Sequence, residues 1–336
     1  MKRRIAVGFT FAVLLLVVLI SAVGGQDLLA ELSQADYRIL TLGVLSGLLA
    51  LTFRGLVWEQ FLSLIDDGLS RAQIAGLFLT AMFVKYVTPY GQIATEPFVA
   101  YLVSREEEMA YEDGLASVLS ADLLNYVPYY TFGFAALGLI VADDALGDGL
   151  INQFVAFGVL FLVIATVVVL VVRRPELVYS LVIGATSVVR RLVGRFTTRF
   201  DDRLAAESVR SRLEGFYTTV DTITADRRTV VVAAAYAHLG MVFLMLPVYI
   251  GATSLGYQLP LSVVALAVAF GKLGSVVPAP GGTGGVEAMV TAVLTTLGGL
   301  SPAAALTVAL IYRACTYWLT IGIGGAAGGV LLLREQ

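Results

Sequence analysis

The chain has little of what soluble enzymes and metalloproteins are built from. Of its 336 residues one is cysteine and one is histidine. Cys315 alone cannot close an intrachain disulfide, and His238 alone excludes a multi-histidine metal centre. Lysine is nearly absent, with Lys2, Lys85 and Lys272 set against 19 arginines, and charged residues of all kinds make up 14%. The sequence holds no His-Glu-x-x-His, no Gly-x-Ser-Gly and no Gly-x-Gly-Asp, which argues against an intramembrane protease. No cofactor, metal or nucleic-acid partner is expected, and the chain does not read as an enzyme.

What fills the sequence is apolar residue. The hydrophobic fraction is 58% and mean hydropathy is +0.86. A soluble domain of this size cannot hide that much apolar surface, so lipid must be part of the solvent. Runs at 5–24, 152–172 and 302–333 meet the roughly 20 residues needed to cross a bilayer core. The first begins Met-Lys-Arg-Arg like a signal peptide. It is long for that role and the rest of the chain is equally apolar, so it reads as a retained helix.

The hydropathy pattern predicts an all-α, multi-pass membrane protein, one transmembrane domain over 1–336. Its expected elements are helices 5–24 and 38–65, a broken pair 71–87 and 92–104, and helices 114–141 and 152–172. A polar stretch at 173–228 precedes helix 229–255, a second broken pair 262–277 and 284–297, and helix 302–333. The polar stretch carries 11 of the 19 arginines, while loops near 25–37, 142–150 and 256–260 carry almost none. The positive-inside rule then places both termini in the cytoplasm, with the cell membrane as the site of residence. The apolar run 177–189, followed by Arg190, Arg191, Arg195 and Arg199, reads as interfacial or as a solvated linker.

Self-similarity at an offset of 191 residues is the most informative pattern. Pro89, Gly91 and Glu96 fall onto Pro280, Gly282 and Glu287, Tyr126 onto Tyr317, and Asp122 onto Arg313. The span limits follow the same offset, so repeat unit one is 38–141 and unit two is 229–333. From the expected topology the two units enter the membrane from opposite sides, an inverted repeat. Two such units open alternately to either face, and helices broken at equivalent places point to the substrate site.

The breaks themselves are Thr88-Pro89-Tyr90-Gly91-Gln92-Ile93-Ala94-Thr95-Glu96-Pro97 and Pro278-Ala279-Pro280-Gly281-Gly282-Thr283-Gly284-Gly285-Val286-Glu287. Proline stops a helix and glycine permits the turn. Unpaired backbone at membrane depth is tolerated where protein or water satisfies it, so both breaks are expected to line a cavity. The alternative is a plain interfacial turn.

These two stretches, with Tyr312-Arg313 and Tyr317-Trp318, resemble the flippase-like family named for the transmembrane region of lysylphosphatidylglycerol synthases. The resemblance spans nearly the whole chain. It departs at Ala94-Thr95, where that family has paired glycines. No segment reads as a soluble aminoacyltransferase domain. The resemblance therefore implies translocation of an anionic phospholipid or a polyprenyl-phosphate-linked sugar, with membrane lipids as the partners.

Ionisable residues within the spans are Arg54, Glu59, Lys85, Glu96, Asp122, His238, Lys272, Glu287 and Arg313. Each costs roughly 2.5–3.5 kcal/mol at a helix centre unless paired or hydrated. Lys85, Lys272, Arg313 and Arg54 are candidates to offset a phosphate, with Glu96 and Glu287 to bind a proton or hold the cations; the alternative is a set of buried ion pairs that only fix helix packing. The expected site is Lys85, Pro89, Gly91, Glu96, Asp122, Lys272, Pro280, Gly282, Glu287, Arg313 and Tyr317. Arg54 and Glu59 are expected to snorkel to the interface, and His238 to pack. Tyr126, Tyr129, Tyr130, Tyr317 and Trp318 are expected as interface-belt aromatics, the alternative being that they grip a lipid chain. Gly324-x-x-x-Gly328 and Gly325-x-x-x-Gly329 permit close helix contact. Asp122 and Arg313, being equivalent and opposite in charge, are expected to pair across the repeat interface in at least one conformation. Two other classes remain: a membrane glycosyltransferase using lipid-linked donors, with Asp143-Asp144 its only candidate metal acids, and a small-anion transporter.

Overall fold

The computed structural model describes residues 2–91, 95–106, 109–142, 151–193 and 205–334. All the secondary structure among them is helical. The first helices are α1 (Lys2–Val23), α2 (Gly25–Gln34), α3 (Tyr37–Ile65), α4 (Arg71–Val87), α5 (Glu96–Glu106) and α6 (Tyr111–Ala142). After them come α7 (Ile151–Arg173), α8 (Pro175–Val193), α9 (Ala206–Ala225) and α10 (Arg227–Ser254). The chain ends in α11 (Leu261–Gly274), α12 (Gly285–Thr296), α13 (Pro302–Arg313) and α14 (Leu319–Arg334), the last two joined by a π-helical turn, Ala314–Trp318. Ala94, Asp143, Asp144, Arg195 and Arg199 lie outside the described residues.

Local chemistry sets the boundaries. The Asp36 carboxylate caps α3 by accepting from Arg38 N, Ser70 and Gln73 form a capping box on α4, and Ser301 caps α13 ahead of Pro302. Asp226 caps α10 by accepting from Arg228 N and Thr229 N. Those bonds favour its ionised form and hold its pKa below the usual carboxylate value.

Among the described residues four helices are long and apolar enough to cross a membrane: α3, α6, α10 and the continuous α13–α14 unit. A fifth candidate is α1 with α2, bent by 86° at Gly24, whose φ of 97° suits only glycine. The stretch expected as a loop near 25–37 is therefore helical, because its apolar residues recur at helical spacing. The hairpin arms α4, α5, α11 and α12 have 17, 11, 14 and 12 residues. All fall below the roughly 20 residues of a full crossing.

Helices α3 and α10 share the most extensive interface. Helix α4 lies along α14 and α11 along α6, while α5 lies on α6 and α12 on α13. Helix α11 is buried on all sides from Val263 to Gly271, and so reads as apolar throughout rather than amphipathic.

Close backbone approach holds α4 to α14. A Cβ at Gly324 would stand 2.4 Å from the Leu79 carbonyl oxygen, and one at Gly328 would touch Thr80. Gly325 faces Phe83, but Gly329 faces open space, so three of the four predicted small-residue contacts are made.

The arginine-rich stretch 173–228 holds two helices, and α9 is docked rather than free. Thr219 Oγ1 donates to Asp113 at the start of α6, Arg212 pairs with Glu112 at 3.4 Å, and Tyr217 OH donates to Val171 O at 2.9 Å.

Candidate functional site

In the first hairpin α4 stops at the Thr88-Pro89-Tyr90-Gly91 turn, and Gly91 N donates to Thr88 O at 2.9 Å. A Cβ on Gly91 would fall 2.0 Å from the Lys85 carbonyl oxygen. Only glycine lets the chain fold back this tightly on α4. The turn delivers Glu96 to the first turn of α5 and leaves Lys85 in the last turn of α4. Lys85 Nζ donates to Glu96 Oε1 at 2.9 Å and also to Asp122 Oδ2 on α6. The Trp58 indole N–H donates to Asp122 Oδ1 at 3.0 Å, and Lys85 Nζ lies 5.3 Å from the Trp58 ring centroid. Lys85 thus ties both arms of the hairpin to the long helix behind them.

The second hairpin reaches the same goal with different residues. Gly281, Gly282 and Gly284 all have positive φ, at 57°, 65° and 89°. The Glu287 carboxylate accepts from Gly284 N at 2.7 Å through one oxygen and from Arg313 Nε at 2.9 Å through the other. Arg313 Nη2 donates to Gly281 O at 2.9 Å and Thr283 Oγ1 at 3.3 Å, and its guanidinium stacks 3.9 Å from the Tyr317 ring centroid. Glu287 and Arg313 are 1% and 7% exposed. A buried ion pair holds its place only when the remaining donors and acceptors are also bonded, as they are here.

Tyr317 joins the two halves. Its hydroxyl lies 3.1 Å from Pro280 O and 3.3 Å from Tyr86 O on α4, and its ring packs against Tyr86. The π-helical turn, Ala314–Trp318, starts directly after Arg313 and contains Tyr317. The extra residue of such a turn re-aims side chains, and π turns gather at functional sites.

Between the hairpins lies a cavity of about 60 Å³. That holds a few waters and falls well short of the ~300 Å³ at which ligand pockets begin. Arg54, Lys85, Lys272 and Arg313 line it, with Asp122 as the one carboxylate and Tyr86, Tyr126, Tyr129, Tyr312 and Tyr317 around them. Lys272 Nζ sits 4.2 Å from the Tyr126 ring centroid. Arg54 Nη1 reaches Tyr86 OH at 3.5 Å, and its Nε is buried without a hydrogen-bond partner.

The structure gathers Lys85, Glu96 and Asp122 into one cluster and Pro280, Gly282, Glu287, Arg313 and Tyr317 into another, while Pro89 and Gly91 shape the first turn. Lys272 stands across the cavity from neither hairpin tip but beside Tyr126. Asp122 and Arg313 do not form the expected pair, because each has a nearer partner in its own half. Arg54 does not snorkel; it faces the cavity. Glu59 does meet the surface, bonded at 2.9 Å to the exposed Arg71. Tyr126, Tyr129 and Tyr317 face the cavity instead of the interface belt. Tyr130 packs on Phe161, and Trp318 is half exposed. His238 packs as expected, with Nδ1 2.8 Å from Ala234 O. Trp58 was invisible to motif reading; a buried tryptophan 64 residues from the acid it serves leaves no local signal.

Comparison with known proteins identifies the family. The sequence matches the family described as "Lysylphosphatidylglycerol synthase TM region" over residues 5–324. It is 23% identical over 332 residues to a UPF0104 membrane protein of Methanothermobacter thermautotrophicus, covering 97% of this chain and 95% of that one. Spanning helices, broken hairpins and full-length match together show that the chain is a multi-pass membrane protein belonging to the lysylphosphatidylglycerol synthase transmembrane-region family.

Proposed function

We propose that this protein is a transporter, not an enzyme, and that it moves an anionic lipid between leaflets by alternating access. The supporting observation is the charge of the central site. Four cations, Arg54, Lys85, Lys272 and Arg313, stand against three carboxylates, Glu96, Asp122 and Glu287, around a cavity ringed with tyrosine. One positive charge is left over, which suits a phosphate. Phosphate bound at membrane depth needs this compensation, because an uncompensated charge there is strongly disfavoured. The substrate class is an anionic phospholipid or a polyprenyl-phosphate-linked sugar.

The small cavity fits a state closed to both sides, with the lipid admitted when a hairpin swings. In this reading the two units are inverted with respect to each other. The hairpins are re-entrant, both termini are cytoplasmic, and the protein resides in the cell membrane. Alternating access follows from exchanging the conformations of the two units about the α3–α10 interface.

The experiment is a leaflet-exchange assay with purified protein in vesicles carrying fluorescent phosphatidylglycerol, fluorescent phosphatidylcholine or a labelled polyprenyl-phosphate sugar. An anionic lipid is expected to become accessible to an impermeant quencher, and phosphatidylcholine is not. Arg54→Gln is expected to slow exchange. Equal movement of the zwitterionic and anionic lipids overturns the reading. Metal-dependent hydrolysis of the lipid-linked sugar identifies a glycosyltransferase instead.

A further inference from the structure

The two half-sites treat their carboxylates differently. In the second half Glu287 uses both oxygens, one on Gly284 N and one on Arg313. In the first half a single ammonium, Lys85, bonds two carboxyl groups, Glu96 and Asp122. Asp122 fills its other oxygen with the Trp58 N–H, whereas Glu96 Oε2 is buried with no hydrogen-bond partner among the described residues. Glu96 is 8% exposed and Asp122 6%, so bulk water does not reach the surplus charge.

Because both bond Lys85 Nζ, Glu96 Oε1 and Asp122 Oδ2 are brought close to each other. Two ionised carboxylates offer only acceptors, so the contact becomes a bond only when a proton lies between them. Lys85 faces this pair from α4, Tyr126 from α6, Arg54 and Trp58 from α3, and Lys272 from α11. Asp122 lines the central cavity while Glu96 stands behind it, off the lining. A substrate group therefore meets Asp122 but not Glu96, and the ligand that suits the buried oxygen is a proton.

We propose that the Glu96–Asp122 pair holds one exchangeable proton, and that this proton crosses the membrane together with the anionic lipid. The inference rests on the translocation reading for its second half only. With the proton in place, Lys85 is matched by one remaining carboxylate and the cavity gains a positive charge. Anion and proton then bind cooperatively, each raising affinity for the other by the same factor. Nothing equivalent exists at Glu287, which is spoken for by Arg313 and the backbone.

Two measurements test the two halves separately. Infrared difference spectra of the full-length protein in lipid nanodiscs, taken as pH is lowered, should show a buried carboxyl becoming protonated. That band should vanish in Glu96→Gln and persist in Glu287→Gln. No such band in the unmutated protein, or one lost only in Glu287→Gln, overturns the proton site without relying on any variant's folding. In vesicles with fluorescent phosphatidylglycerol, and valinomycin with equal potassium to clamp the potential, a gradient of about one pH unit is imposed. One proton per lipid should enrich the lipid about tenfold in the leaflet on the alkaline side. Exchange to an even distribution, enrichment on the acidic side, or driving by sodium in place of protons each overturns the symport. If the infrared band behaves as expected and no lipid moves under any gradient, the proton site stands and the translocation reading fails.

Discussion

Tyr90 and Gly281 stand 191 positions apart and share one backbone conformation, with φ of 55° and 57°. Each is the third residue of its turn, after Thr88-Pro89 in one half and Ala279-Pro280 in the other. The left-handed region is open to glycine and costs other residues roughly 1–2 kcal/mol. Tyr90 therefore holds strain that Gly281 does not. The fold demands this conformation at both tips, since a tyrosine adopts it where a glycine would be easier. At Gly281 glycine is also required by space, because a Cβ would lie 2.0 Å from the Tyr317 ring.

Substitution at these equivalent positions should act in opposite directions. Tyr90→Gly should relieve about 1 kcal/mol of backbone strain and leave thermal stability in detergent unchanged or raised. Gly281→Ala should lower it, since the new methyl meets both the positive φ and the Tyr317 ring. A destabilised Tyr90→Gly with an unaffected Gly281→Ala would mean the turns are not held as described.

Ion-pair partners should be separable by double-mutant cycles. Removing Lys85 or Arg313 leaves buried carboxylates uncompensated, at a cost of about 3–5 kcal/mol. Coupling should be large for Glu287 with Arg313 and for Lys85 with Asp122. For Asp122 with Arg313 it should be small, and exchanging those two residues should not restore folding. Rescue by that exchange would show that they meet in another conformation.

Trp58→Phe keeps an aromatic ring but removes the pyrrole half of the indole, and with it the N–H that bonds Asp122 at 3.0 Å. The buried carboxylate loses one donor, and stability should fall by about 1–3 kcal/mol. Thermal unfolding in lipid nanodiscs measures this. An unaltered midpoint would assign the contact no energetic weight.

Helix contact between α4 and α14 gives a paired control. Gly324→Leu should destabilise the fold, because its side chain is forced into the Leu79 carbonyl and Phe83. A Cβ at Gly329 meets nothing within 4 Å, so Gly329→Leu should be tolerated. Proteolytic resistance of the membrane-inserted protein reports the difference.

Orientation rests on arginine placement and can be read with single cysteines in a Cys315→Ser background. Gln258→Cys should react with an impermeant thiol reagent in intact cells, and Glu207→Cys should react only after permeabilisation. Both residues are exposed. The reverse pattern would invert the topology.

Element limits were legible from composition because they depend on local properties. The expected helix 38–65 is Tyr37–Ile65, and the expected arm 284–297 is Gly285–Thr296. Pro89, Gly91, Pro280 and Gly282 mark the breaks because proline and glycine act on their own backbone. The helix over Gly25–Gln34 was missed because its polar residues resemble those of a loop. The docking of α9 on α6 was missed because Asp113 and Thr219 are 106 residues apart.

The sequence by itself determined that the chain is a multi-pass membrane protein and where its hairpins break. Hydropathy and turn chemistry decide both, and they are written in neighbouring residues. Tertiary structure alone decided which charges meet. The repeat offset sets Asp122 opposite Arg313 in register, but register says nothing about rotation of a helix about its axis or its distance from the symmetry axis. Packing of α4 on α14 and α11 on α6 fixes those rotations. It turns Asp122 to Lys85 and Trp58, turns Arg313 to Glu287, and brings Arg54 from an expected interface position into the cavity. A pairing between distant residues is a property of helix placement, and no local pattern encodes it.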